Sequence, residues 1–262
     1  MTFPQIDPVI FSIGPLAVRW YGMMYLLGFV GGYLMMNHVA RLREYPLGKE
    51  QVSDLLFYGV IGVVAGGRIG YTLFYNSSYY LQHPLEIFYV WEGGMSFHGG
   101  LLGVLAVLFY YCWKKRYSLL MIADLVVAAV PIGLGFGRIG NFINAELWGR
   151  ETDLPWGVIF PAAGPQPRHP SQLYEAALEG LVLLVVIYLL HRLKARPGVA
   201  GFSFLALYGL FRFLAEFVRQ PDAHLGFLWG GATMGQLLSL PMLLIGSAGI
   251  VYCLKRAQHE SD

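Results

Sequence analysis

Seven apolar stretches, at roughly 16–36, 54–75, 95–113, 119–141, 171–191, 200–219 and 233–254, dominate the 262-residue chain. Each is long enough to cross a hydrocarbon core, which takes about 20 helical residues. Backbone groups in lipid must find their partners within the protein, so such a chain folds as a bundle of membrane-spanning helices. The predicted fold is therefore all-α and polytopic, with about seven transmembrane helices in one integral domain over 1–262. Charge agrees with this, since only 13% of the residues are Asp, Glu, Lys or Arg, well under the share in a soluble domain. The net charge of +2 is too small for a surface that tracks nucleic-acid phosphates. Cys112 and Cys253 are isolated and supply neither a disulfide framework nor a metal quartet. Residues 1–15 lack a basic start and contain Asp7, Pro4, Pro8 and Pro15, so no cleavable leader is expected there.

The basic residues set the expected orientation. Arg41, Arg43 and Lys49 follow the first stretch, and Lys114, Lys115 and Arg116 the third. Arg192, Lys194 and Arg196 follow the fifth, and Lys255 and Arg256 the seventh. All five lysines fall on this one side, which the positive-inside rule makes cytoplasmic, with the amino terminus outside. Two outer loops exceed simple connectors. Residues 76–94 carry Tyr79, Tyr80, Phe88, Tyr89 and Trp91 and suit an interfacial arm at headgroup level. Residues 142–170, rich in proline and including Trp148 and Trp156, suit a small ordered cap on the outer face.

Four arginines fall inside or at the edge of apolar stretches: Arg19, Arg68, Arg138 and Arg212. A lipid-facing arginine at mid-bilayer costs about 2.5 to 3.5 kcal/mol on insertion scales, so the deep ones must face the bundle interior or a polar cavity. Arg68, Arg138 and Arg212 all fall in the outward halves of their stretches. Two readings are open: the arginines pair with Glu175, Glu179 or Glu216 at comparable depth, or they form an anion site. Three at one level favour the anion site. His98 enters the membrane at that level, flanked by Gly93, Gly94, Gly99 and Gly100. No mid-membrane lysine, HExxH, CxxC or G-x-S-x-G is present, so retinal binding, metal-assisted transfer and serine acyl transfer are not expected, and neither metal nor cofactor is called for.

The densest constellation is Gly137-Arg138-Ile139-Gly140-Asn141-Phe142-Ile143-Asn144-Ala145-Glu146-Leu147-Trp148-Gly149. It resembles the signature of the bacterial prolipoprotein diacylglyceryl transferases, G-R-x-[GA]-N-F-x-N-x-E-x-x-G, at every fixed position. The resemblance extends to Arg19-Trp20-Tyr21-Gly22, His98-Gly99-Gly100, His169-Pro170-Ser171-Gln172-Leu173-Tyr174-Glu175 and Tyr208-Gly209-Leu210-Phe211-Arg212. It implies an enzyme of the bacterial cytoplasmic (inner) membrane with its active site near the outer leaflet. There a diacylglyceryl group would pass from phosphatidylglycerol to the lipobox cysteine of a prolipoprotein signal peptide, with release of glycerol phosphate.

On that reading Arg138 and Arg212 hold the phosphate, since guanidinium forks bind it bidentately. His98 is the third catalytic candidate, as base or as orienting group. Asn141 and Asn144 would donate to phosphate or glycerol oxygens, Glu146 would orient an arginine, and Gly149 would permit a tight turn into the cap. Tyr21 and Tyr208 would contribute hydroxyls, and Gly99 would leave room for substrate. Arg68 and Glu216 would form a supporting pair. The competing class is a flippase or transporter of anionic lipid using the same arginines. Inverted repeats are usual in that class, whereas Gly67-Arg68-Ile69-Gly70 and Gly137-Arg138-Ile139-Gly140 lie in stretches of the same direction.

Overall fold

The computed structural model describes residues 1–4, 6–14, 16–221 and 228–259. The described residues are mostly helical. Among the described residues, five helices are long and apolar enough to cross a membrane: Lys49–Phe74, Phe97–Lys115, Leu119–Ile143, Ser171–Arg192 and Met234–Lys255. The first apolar stretch forms strand β2 (Leu16–Arg19) and then helix α1 (Trp20–Leu42). The sixth forms α9 (Val199–Ala215), whose 17 residues rise only about 26 Å at 1.5 Å each. Clustering of contacts divides the chain into two compact units, Tyr45–Ala123 and the combination of Met1–Glu44 with Asp124–Asp262.

The Tyr45–Ala123 unit is built on α2 (Lys49–Phe74) and α4 (Phe97–Lys115), joined through α3 (Ser77–Gln82) and two short 3₁₀ turns. Gly62, Gly66 and Gly70 recur every four residues on α2 and meet Gly99 and Gly103 on α4. A methyl on Gly70 would lie 2.8 Å from the Cα of Gly99, so only glycine permits this approach. Small residues at this spacing let backbones touch where lipid supplies no hydrophobic drive for association.

The other unit begins with a hairpin that the apolar pattern does not reveal, β1 (Val9–Ile13) antiparallel to β2. Gly14, at φ +57°, turns the chain between them. α1 then packs on α6 (Val130–Ile143), where methyls on Gly28 and Gly32 would come within 3.3 Å of Gly133 Cα and 3.2 Å of Ala129 Cβ. The fourth stretch is broken into α5 (Leu119–Val127) and α6, with Pro131 in the first turn of α6, where its missing N–H is tolerated. The fifth stretch comprises α7 (Ser171–Glu175), a π-helical turn over Ala176–Val182, and α8 (Leu183–Arg192). α10 (Met234–His259) packs along α9.

Asp124, only 1% exposed, accepts from the backbone N–H groups of Gly198 and Gly201, both at 2.7 Å. A carboxylate from α5 thus supplies the cap that α9 lacks in its own sequence. Residues 142–170 fold around Phe160, which is fully buried against Phe3, Phe142 and Trp148. The amino terminus joins this element through hydrogen bonds from Ile159 N to Met1 O, 2.8 Å, and from Phe3 N to Ile159 O, 3.1 Å.

Candidate active site

Close packing of α6 on the π-helical turn creates the charged centre. A methyl on Gly180 would come within 2.7 Å of Gly135 Cα, and one turn further along α6 Arg138 meets two fully buried glutamates. Its Nη2 lies 2.8 Å from Glu175 Oε2 and 3.1 Å from Glu179 Oε2, and its Nε donates to Glu179 Oε2 at 3.3 Å. Glu175 Oε2 also receives Arg212 Nη1 at 3.1 Å, while its Oε1 faces Arg219 Nη1 at 3.5 Å. Arg212 Nη2 reaches Glu216 Oε1, and Thr233 donates its hydroxyl to Glu216 Oε2 at 2.6 Å. Three arginines and three glutamates form one neutral network, with Glu175 at its hub.

Arg138 and Arg212 thus pair with the glutamates, the first of the two sequence readings, yet neither is used up. Their side chains keep 16% and 18% exposure. Among the described residues, Arg138 Nη1 and Arg212 Nε have no hydrogen-bond partner. A neutral cluster offers an anion open N–H edges in fixed positions, not net charge. Tyr208, one turn before Arg212, lies within electrostatic reach of Arg138, Arg212, Glu175 and Glu179.

The rest of the motif wraps the end of α6. Ala145 and Leu147 both take positive φ, +51° and +59°, and the reversal returns Glu146 to Asn141. Glu146 N donates to Asn141 O at 3.0 Å, and Asn141 Nδ2 donates to Glu146 Oε1 at 2.8 Å. Asn144 Nδ2 approaches the same oxygen at 3.5 Å. Glu146 therefore orients asparagines, not an arginine as the linear pattern suggested. The physical reason is reach, since the tight turn presents it to the amides at the end of its own helix. Gly149 donates its N–H to His169 O at 2.9 Å, and a methyl there would lie 2.7 Å from His169 Cβ, so it permits a close backbone crossing. Burial lowers the pKa of His169 below the usual imidazole value. Its Nδ1 lies 3.4 Å from the hydroxyl of Tyr174, which accepts from Trp156 Nε1 at 2.7 Å. Arg150 donates to the carbonyls of Glu216 and Arg219, tying this element to the end of α9. Tyr21 covers Gly140, and its hydroxyl lies 3.4 Å from that of Tyr25.

Arg68, Gly99 and His98 belong to the Tyr45–Ala123 unit. Arg68 is 4% exposed, and its guanidinium donates to the carbonyls of Glu86, Ile87, Gly93 and Gly94 while lying over the Tyr80 ring. The expected pairing of Arg68 with Glu216 is replaced by separate partners for each, because the carbonyls of residues 86–94 take up every nitrogen of the Arg68 guanidinium and Glu216 is held by Arg212 and Thr233. It is a clasp for the aromatic arm. Gly99 faces α2, as required by the glycine contact. His98 is exposed in the first turn of α4, against Phe97, and has no hydrogen-bond partner among the described residues.

Arginine inside an apolar stretch is a strong linear signal, and it finds Arg138 and Arg212. The hub role of Glu175 is carried by the Gln172-Leu173-Tyr174-Glu175 element. Tyr25, Thr233 and Arg150 have no comparable signal, since each acts through a neighbour remote in sequence or one helical turn away. Known proteins match almost all of the chain. A family model described as prolipoprotein diacylglyceryl transferase matches residues 8–252. The phosphatidylglycerol–prolipoprotein diacylglyceryl transferase of Geobacter sulfurreducens is 54% identical over 256 residues, 98% of this chain and 98% of its own length. The protein of that name from Pseudoalteromonas atlantica is 56% identical, over 97% of this chain and 92% of its own. That of Vibrio cholerae is 54% identical, over 99% and 96%. With matches of this length and identity, the chain belongs to the prolipoprotein diacylglyceryl transferase family and is a transferase.

Proposed function

We propose that this chain transfers the diacylglyceryl group of phosphatidylglycerol to the thiol of a lipobox cysteine in a prolipoprotein signal peptide. The sulfur attacks the glyceryl carbon that bears the phosphate ester, so a C–S bond forms as that C–O bond breaks. Glycerol phosphate leaves with the bonding electrons, and the thiol proton passes to a base. The observation that carries the reading is the open edges of Arg138 and Arg212, held in place by buried glutamates. Charge growing on the departing phosphate meets donors that need no reorganisation. Tyr21, Tyr208, Asn141, Asn144 and Gly149 are assigned to substrate binding, with Glu146, Glu216 and Arg68 in support and Gly99 as packing beside His98. The transferase names of the relatives weigh against the flippase alternative.

His98 is assigned as the base. A free thiol ionises near pH 8.5, so an unpartnered imidazole would raise the reactive thiolate fraction at neutral pH. Purified protein given phosphatidylglycerol and a lipobox peptide should yield the thioether peptide and equimolar glycerol phosphate. Absence of the thioether would sink the reading. His98→Gln should keep its lipid affinity, lose most turnover at pH 7 and recover part of it as pH rises and the thiol ionises unaided. Lost lipid affinity without alkaline recovery would make His98 a binding residue instead.

The basic residues support a bacterial cytoplasmic membrane location with seven crossings, the amino terminus outside, the carboxyl terminus in the cytoplasm and the site near the outer leaflet. In a version lacking Cys112 and Cys253, Ala162→Cys should react with an impermeant thiol reagent from outside. Leu193→Cys, at the far end of α8 and 77% exposed in the native residue, should not. The opposite labelling would invert the topology.

A further inference from the structure

The amide of Asn141 has a polarity that the linear motif does not reveal. Its Nδ2 donates to Glu146 Oε1 at 2.8 Å, and the reverse orientation would set two oxygen acceptors against each other. The carboxylate therefore forces Oδ1 to the other side of the amide. Asn141 is only 8% exposed as a residue, but its Oδ1 is not sealed from solvent, and among the described residues no hydrogen bond runs to it. Asn141 also stands three residues after Arg138 on α6, and residues at that spacing share a helix face. Tyr21 packs on Gly140 beside it, and the charge of Glu146 is felt at Tyr25.

We infer that Asn141 Oδ1 is an acceptor that reads a hydroxyl of the lipid headgroup, with Glu146 as its positioning residue. A phosphate oxygen cannot fill this role, because it has no hydrogen to donate. The guanidinium edges read the phosphodiester, and Asn141 reads the alcohol esterified to it. The occupant is a phospholipid with a polyol headgroup, and one with a plain alkyl headgroup should be discriminated against. A site built to bond a substrate hydroxyl rejects an analogue lacking it, because its own polar group is left unpaired. The inference rests on the diacylglyceryl transfer reading and adds headgroup selectivity to it.

The test compares phosphatidylglycerol with phosphatidylpropanol, which keeps the phosphodiester and the three-carbon headgroup but has no headgroup hydroxyl. Both thioether formation and lipid affinity, by native mass spectrometry, are measured for the wild type, Glu146→Gln and Asn141→Ala. The wild type should favour phosphatidylglycerol by about tenfold or more. In Glu146→Gln the neutral amide accepts either orientation of Asn141, so the preference should fall to within about threefold while phosphatidylpropanol affinity changes little. Asn141→Ala should likewise lose the preference in binding, a readout that survives if turnover is abolished. Equal use of the two lipids by an active wild type would overturn the inference but leave the transfer reading standing. A preference that persists in both variants would also overturn it, by placing headgroup recognition elsewhere. A wild type that forms no thioether with either lipid removes the transfer reading and this inference with it.

Discussion

Glu175→Gln should destabilise the protein by about 3 to 5 kcal/mol, the scale for breaking a buried ion pair by removing one partner. For a chain of this size that corresponds to a fall of roughly 6 to 20 °C in the apparent Tm in detergent. The cause lies in the hub geometry. Glu175 is fully buried and one carboxylate serves Arg138, Arg212 and Arg219, so its neutralisation leaves three guanidinium groups with two carboxylates between them. Glu179→Gln should cost less, because among the described residues its ion pair is with Arg138 alone. Combining Glu175→Gln with Arg212→Gln restores the charge balance and should recover part of the loss. A Tm for Glu175→Gln within a degree or two of the wild type would show that the arginines do not depend on this counterion.

Arg138→Lys should reduce turnover by at least about a hundredfold, the loss seen when a transition-state donor is removed in comparable sites. Charge is conserved in this change and geometry is not. Arg138 directs Nε and Nη2 at the glutamates and leaves Nη1 open, so two different tasks are divided between two edges of one rigid plane. An ammonium is a point charge without such a division. Held by Glu175 and Glu179, it would have no fixed donor left for a phosphate. Steady-state rates with phosphatidylglycerol and a lipobox peptide, on protein with a wild-type melting profile, check this. Near-normal turnover would reduce Arg138 to a counterion for the glutamates.

The contrast between these two residues shows which parts of the site a linear reading reaches. Arg138 and Arg212 stand out because arginine in an apolar stretch is costly unless it has a task, and that cost is visible without coordinates. Glu175, Glu179 and Glu216 are visible as partners by depth alone, but that one of them serves three arginines depends on the Gly135–Gly180 contact. The polarity of Asn141 depends on Ala145 entering the left-handed region, which nothing in its residue type announces. Arg68 carries the same linear signal as Arg138, and only the carbonyls of residues 86–94 distinguish a clasp from a substrate contact. Hydrophobic periodicity likewise locates most of the apolar stretches but misses the β1–β2 hairpin, because Leu16 to Arg19 continue without a break into α1. Asp124 is the converse case: a lone carboxylate inside an apolar stretch was as legible as any arginine, and its task as the cap of α9 follows once that helix is seen to begin at Val199.

The interrupted make-up of the larger unit has a consequence for biosynthesis. Its first helix, α1, finds its glycine-lined counterpart only in α6, and the whole of the other unit is encoded in between. At translation rates of about 5 to 20 residues per second, the roughly 90 residues separating Leu42 from Val130 take on the order of 5 to 20 seconds to emerge. Throughout that interval α1 is already synthesised while the surface that fits it does not yet exist. The α2–α4 pair, encoded without interruption, can close its own contact within the same wait. Order along the messenger thus makes the arginine-bearing unit the last to be completed, although it is the first to be begun.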